Sequence, residues 1–186
     1  AIARRIIAAA PPRFALVGHS LGGYIAFEIL RQAAERVIGL ALLDTSARAD
    51  TPEQSQKRQD QMEMARRGPF DALAALQFPA FVHPSRQRDK ALQRYMSAMA
   101  HDNDAEVFIR QQTAIMHRPD SRPTLATIRC PTVVIVGDAD AATPPERAQE
   151  IVAGIRGARL VVIEQCGHMS AIERPDTVTA ALVDAF

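Results

Sequence analysis

Gly18-His19-Ser20-Leu21-Gly22 sets a serine between two glycines, directly after the apolar run Phe14 to Val17 and directly before a helix-length stretch. A serine on such a sharp strand-to-helix turn adopts a strained backbone, and the reading assigns both glycines to relieving Cβ collisions there. The turn pushes the Ser20 hydroxyl out into a cleft and aims the Leu21 backbone N–H, at the helix start, where an oxyanion would form. A serine hydroxyl attacks poorly unless an imidazole accepts its proton. His168 is the histidine in position to do so, because Gly167-His168 follows the apolar run Arg159 to Glu164 and lies on the same sheet edge as Ser20. His83, His101 and His117 fall in a polar middle region and read as surface or packing residues, and strand alternation turns His19 away from the cleft.

The imidazole in turn needs a carboxylate to fix its tautomer and stabilise its charged form. Gly137-Asp138-Ala139-Asp140-Ala141-Ala142-Thr143-Pro144-Pro145 offers two. Asp140 lies further into the loop and is the favoured partner of His168. Asp138, closer to the strand, suits turn hydrogen bonds to loop backbone. Asp44, at the end of Val37 to Leu43, is a third candidate on the same edge.

These residues need a sheet to position them. Phe14 to His19, Val37 to Leu43, Thr132 to Gly137 and Arg159 to Glu164 are short runs rich in Val, Ile and Leu, separated by helix-length stretches. That pattern predicts an α/β fold with four buried parallel strands. Residues 1–10, 21–35, 145–155 and 175–186 read as flanking helices, with Pro144-Pro145 and Pro175 at helix starts. Residues 47–127 break the rhythm, being polar, charged and punctuated by Pro52, Pro69, Pro79, Pro84 and Pro119. They read as an inserted helical lid, with main helices over 53–67 and 88–117 and an interior of Met and Phe. The core is then 1–46 with 128–186.

Composition narrows the function classes. The 186 residues are 47% hydrophobic and 23% charged, and 22 basic against 21 acidic residues leave a net charge of +1. No charge excess calls for a nucleic acid or an anionic membrane surface. No apolar run approaches the roughly 20 residues of a membrane helix. Cys130 and Cys166 fall at opposite ends of neighbouring strands, about 16 Å apart for a five-residue strand, beyond the roughly 7 Å a disulfide can bridge. Free thiols fit a cytoplasmic protein. His19 and His168 lack neighbours spaced as a hydrolytic zinc motif, and the glycine turn lacks the lysine and hydroxyl of a phosphate loop, so neither metal nor nucleotide cofactor is expected.

In the order Ser20, Asp140, His168, the chain resembles the α/β-hydrolase superfamily, in its lidded esterase and enol-lactonase branch. Gly18-His19-Ser20-Leu21-Gly22-Gly23, Leu42-Leu43-Asp44-Thr45, Cys130 to Gly137, Asp140 to Pro145 and Gly167-His168 carry the likeness. It implies cofactor-free hydrolysis of a small ester, thioester or lactone through an acyl-enzyme, with Ser20, His168 and Asp140 as triad and Leu21 N–H as oxyanion donor. A serine in the elbow separates it from the dehalogenase and epoxide hydrolase branches, for which the resemblance implies an aspartate. The resemblance also implies strands ahead of the elbow strand, where only residues 1–13 stand. The expectation is therefore a partial chain, or a homo-oligomer pairing through the exposed Phe14 to His19 edge; a noncatalytic interaction module is the alternative.

Overall fold

The computed structural model describes residues 1–186, for residue 71 the backbone only. Four parallel strands form one sheet in the order β1 (Phe14–His19), β2 (Val37–Leu43), β3 (Thr132–Gly137), β4 (Arg159–Ile163). All four coincide with the apolar runs of the sequence, the last ending one residue earlier. The runs of β2 and β3 are continuous because both faces of the sheet are covered there. From β2 and β3, Leu40, Leu42, Val134 and Val136 enter one core, where they meet Phe27, Ile29 and Ile151. Their alternates Ala41, Leu43, Val133 and Ile135 enter the other, against Val178. Each Leu or Ile so buried contributes roughly 1.5–3 kcal/mol.

Helices α1 (Ile2–Ala9) and α2 (Leu21–Ala33) lie on the first face, and α2 presents Ala26, Phe27, Ile29 and Leu30 to it. The later elements of this layer are α7 (Arg122–Leu125) and α8 (Pro145–Gly154). The second face carries α10 (Pro175–Val183), preceded by the short α9 (Ser170–Glu173). On its outer side β1 has no strand partner among the described residues, and Val17 is 51% exposed. Cys130 and Cys166 are free thiols, and burial pushes the Cys166 thiol up to about 12. Among the described residues no helix is long and apolar enough to cross a membrane.

Between β2 and β3 the chain builds α3 (Pro52–Arg67), α4 (Phe70–Phe81), α5 (Lys90–His101) and α6 (Ala105–Met116). Thr51 starts α3 with a reciprocal pair of bonds, its hydroxyl accepting the Gln54 N–H and its own N–H reaching the Gln54 side chain. The stretch 88–117, expected to be helical, holds two helices. Asp104 accepts the Val107 N–H at 2.8 Å and so begins a new helix, just as Asp89 begins α5 by accepting the Ala91 and Leu92 N–H groups. Helix α4 lies where the sequence offers Pro79 and a run apolar on all sides. Pro79 lies in the last turn, where it forgoes its own bond to the preceding turn, and the helix ends two residues later at Phe81. Two small cores hold these helices together, Ala65, Leu73 and Phe108 in one and Phe78, Val82 and Leu92 in the other. Of the methionines expected inside, Met64 is 48% and Met99 41% exposed.

A buried ion network ties this layer down. Asp50, its side chain 1% exposed, accepts from Arg58 Nε at 2.7 Å and from Arg118 Nη1. Arg118 also lies 4.2 Å from the Tyr24 ring centre on α2. Removing the shared carboxylate leaves two guanidinium groups facing each other with their desolvation uncompensated. Asp50→Asn is therefore expected to lower stability by about 3 kcal/mol in urea denaturation, whereas Arg48→Gln, breaking the exposed pair with Glu150, should cost far less.

Candidate active site

Ser20 stands between the end of β1 and the first residue of α2 with φ 50° and ψ −113°. Such a backbone costs a non-glycine residue about 1–3 kcal/mol, and three hydrogen bonds hold it. The Ser20 N–H donates to the Leu43 carbonyl at 2.9 Å, and the Ser20 carbonyl accepts from the Gly23 N–H at 2.9 Å and from Thr45 Oγ1 at 2.8 Å. The two flanking glycines have unequal reasons to be there. A Cβ on Gly18 would sit 2.6 Å from the Gly22 carbonyl oxygen, so the strand end and helix start touch backbone to backbone. A Cβ on Gly22 would meet nothing within 4 Å. The expectation that both relieve collisions is corrected: the second crowded glycine is Gly23, 2.4 Å from Thr45 Oγ1.

The structure brings Ser20, His168 and Asp140 into one line. His168, 5% exposed on the loop after β4, has Nε2 2.9 Å from Ser20 Oγ and Nδ1 2.9 Å from Asp140 Oδ2. With Nδ1–H donated to the carboxylate, Nε2 is left to accept the serine proton. Asp140 is itself held by the Ala142 and Thr143 N–H groups on Oδ1, at 2.8 and 2.9 Å, and by the Thr143 hydroxyl on Oδ2 at 2.7 Å. Burial is the largest single influence on its pKa and pushes it up. The bond to His168, the charge of His168 and the Thr143 donors together outweigh burial and leave the pKa below the usual carboxylate value. The Leu21 N–H, at the head of α2, meets no acceptor among the described residues.

The other carboxylates of this edge do different work. Asp138 accepts the Gln165 and Cys166 N–H groups at 3.0 Å each, pinning the loop that leads to His168. Asp44, fully buried with φ 46°, accepts the Gly137 N–H at 3.1 Å and the Ser170 hydroxyl, and does not bond the His168 ring. Two residues escaped the sequence reading. Glu173 accepts the Gly167 N–H at 2.8 Å and the His83 N–H at 2.9 Å, joining the His168 loop to the end of α4. Its only signal was a carboxylate five residues past the histidine. His19, expected to point away, donates Nε2–H to the His168 carbonyl at 2.8 Å, with its ring centre 5.3 Å from that of His168. His19 is the last residue of β1, in register with Leu43, and what it bonds is the backbone of His168, not the Ser20 hydroxyl.

Two predictions follow from this geometry. Gly18→Ala should destabilise by roughly 2 kcal/mol through backbone overlap, while Gly22→Ala, on a helix with open space, should be neutral or slightly stabilising; urea denaturation of both compares them. The His19 pKa is raised: burial, the largest influence, lowers it, but the bond to Asp44, the His168 carbonyl and the charges of Asp44 and Asp140 outweigh burial. The charged form is thus favoured by folding, with a contribution complete below pH about 6.5 and lost as pH rises through the higher folded value. His19→Gln should cost more stability at pH 5.5 than at pH 8.5, and equal costs would contradict the assignment.

Comparison with known proteins gives consistent relatives. A family model described as "Alpha/beta hydrolase family" matches residues 1–182. The chain is 31% identical to a solved thermophilic esterase from Thermogutta terrifontis, covering 98% of this chain and 67% of that one with a TM-score of 0.88. It is 29% identical to the solved enol-lactonase of Burkholderia xenovorans LB400, covering 97% and 68% with a TM-score of 0.85. A Klebsiella pneumoniae protein bearing the name carbamate hydrolase RutD is 28% identical over 183 residues, 96% of this chain and 68% of its own length.

Proposed function

This chain belongs to the alpha/beta hydrolase family and is an enzyme of hydrolase type, and from that premise we propose that it cleaves a carboxylic ester, thioester or lactone through an acyl-enzyme on Ser20. The observation that carries the reading is the continuous relay of Ser20 Oγ, His168 and Asp140, with both links at 2.9 Å. The names carbamate hydrolase, esterase and enol-lactonase among its relatives support it, since each such substrate bears an acyl carbon bonded to a heteroatom.

In this mechanism Ser20 Oγ attacks the carbonyl carbon while its proton passes to His168 Nε2, and Asp140 stabilises the imidazolium. The Leu21 N–H donates to the oxyanion. As the bond to the leaving oxygen or sulfur breaks, His168 returns the proton to it, and an ester to Ser20 is left. Water then adds to that ester with His168 again taking a proton, and collapse frees the acid and regenerates the serine hydroxyl. Residues 47–127 act as the lid that selects the acyl chain and keeps bulk water from the intermediate. The enzyme works on small molecules, without nucleic acid or cofactor, in the cytoplasm.

A fluorophosphonate should label Ser20 covalently, and Ser20→Ala should lose all labelling. Labelling that persists in that variant overturns the assignment of the nucleophile. Asp140→Asn should cut kcat/KM for a p-nitrophenyl ester by about 10⁴-fold, as loss of the tautomer-fixing carboxylate does elsewhere. Asp138→Asn should cost far less, because its carboxylate holds only loop backbone.

A further inference from the structure

The peptide unit that joins His168 to Met169 is gripped at both of its polar ends. Its N–H donates to the Phe81 carbonyl at 3.2 Å, and its carbonyl, that of His168, accepts from His19 Nε2 at 2.8 Å. The His168 side chain springs from the Cα at one end of this planar unit, so the setting of the plane governs the direction in which the imidazole leaves the loop. A carbonyl oxygen can only accept, so Nε2 is a ring nitrogen of His19 that carries a proton. It carries one in this neutral tautomer and in the charged imidazole alike, and the hold on His168 therefore survives the titration of His19.

His19 is itself held. Its Nε2 lies 3.5 Å from Asp44 Oδ2, the oxygen that also accepts the Ser170 hydroxyl, and its ring centre is 5.3 Å from that of His168. Across the sheet it pairs with Leu43, whose carbonyl takes the Ser20 N–H, so the residue that braces His168 and the residue that His168 serves are consecutive at one strand end. Among the described residues the non-glycine positions with positive φ are Ser20, Asp44 and Gln165, following β1, β2 and β4. Strain of that kind persists only where the surroundings over-determine the backbone. His19 joins the three segments that carry it, for it precedes Ser20, faces Asp44 and bonds the loop that follows Gln165.

We propose that His19 is a positioning residue of the hydrolysis, whose Nε2–H on the His168 carbonyl, steadied by Asp44, keeps His168 Nε2 aligned on the Ser20 hydroxyl. The assignment rests on the relay of Ser20, His168 and Asp140, and adds to it a second imidazole–carboxylate pair that acts on the first through the backbone. His19 touches none of the reacting atoms. Its contribution is orientation, and misplacing a reacting group by about an ångström can cost on the order of a hundredfold in rate.

A glutamine side chain carries an amide N–H to the place of an imidazole Nε2, whereas an asparagine, one methylene shorter, falls short of it. His19→Gln and His19→Asn, both polar and suited to a partly buried site, therefore separate donation to the carbonyl from the filling of space. With p-nitrophenyl butyrate at pH 8, His19→Asn should lower kcat by roughly ten- to a hundredfold and leave KM within about twofold, while His19→Gln should recover kcat to within about threefold of the parent protein. The Nδ1–H that His168 donates to Asp140 should give a low-field signal in proton NMR, identified by its loss in His168→Ala. That signal should persist in His19→Gln and broaden or vanish in His19→Asn. In the parent protein, imidazole nitrogen shifts should report His19 as the Nε2–H tautomer once its charge is lost at high pH, a reading that needs no substitution. Equal kcat in the two His19 variants, a low-field signal unmoved by His19→Asn, or an Nδ1–H tautomer overturns the role of His19. The relay is read separately: undiminished turnover in His168→Ala rejects the relay, whereas lost turnover there with equal His19→Asn and His19→Gln rejects the part of His19 alone.

Discussion

The carboxylate of Asp44 is the point on which the Ser20 and His168 edge of the sheet turns. It ends β2, the strand between β1 and β3, and is fully buried. A charge cannot stay there unless its lone pairs are taken up. One oxygen accepts the Gly137 N–H at the end of β3, and the other accepts from Ser170 and lies 3.5 Å from His19 Nε2 at the end of β1. Three chain segments that meet nowhere else in sequence are thereby fixed around one anion. His168 sits two residues before Ser170 and carries the carbonyl that His19 holds. Its ring therefore reaches Ser20 through a frame whose fixed point is Asp44, and the relay itself needs no direct contact with that carboxylate.

Charge is used in the helical layer between β2 and β3 in a different way. Asp50 sits between Arg58 on α3 and Arg118 beyond α6, so the two ends of the layer are joined to each other by charge, and Arg118 carries that network to Tyr24 on α2. The layer's own cores are small, each with three buried side chains. The sheet, in contrast, is held by two extended cores, one on each face. Such a division gives a rigid base and a covering whose attachments are few and directional, and directional contacts are the ones that change substrate preference without changing the fold.

The strands and the relay were legible in the sequence for the same reason. Val37 to Leu43 and Thr132 to Gly137 are apolar at consecutive positions, which only a strand covered on both faces demands, and the glycine-flanked serine follows such a run. The helical layer was harder to read. Helix α4 has no polar face to give it a period, and Pro79 reads as a break until its place in the last turn is known. The division at Asp104 was a helix cap hidden inside a stretch with helical composition. Contacts between distant segments left no local trace at all: the two N–H groups on Glu173, the Thr45 hydroxyl on the Ser20 carbonyl and the His19 ring under His168 depend on how the loops close over the sheet. Gly22 misled in the other direction, since spacing suggests a steric need and the space around it is open.

Glu173 gives the molecule a mechanical property. Its two oxygens grip the His83 N–H, just past α4, and the Gly167 N–H, just before the imidazole, while the Met169 N–H reaches the Phe81 carbonyl at 3.2 Å. Helix α4 and the His168 loop are thus fastened by a bracket of three bonds around the histidine. An outward swing of this end of α4 must either break these bonds or carry the His168 loop with it. The position of this end of α4 and the position of the His168 ring are thereby coupled through backbone groups and one carboxylate.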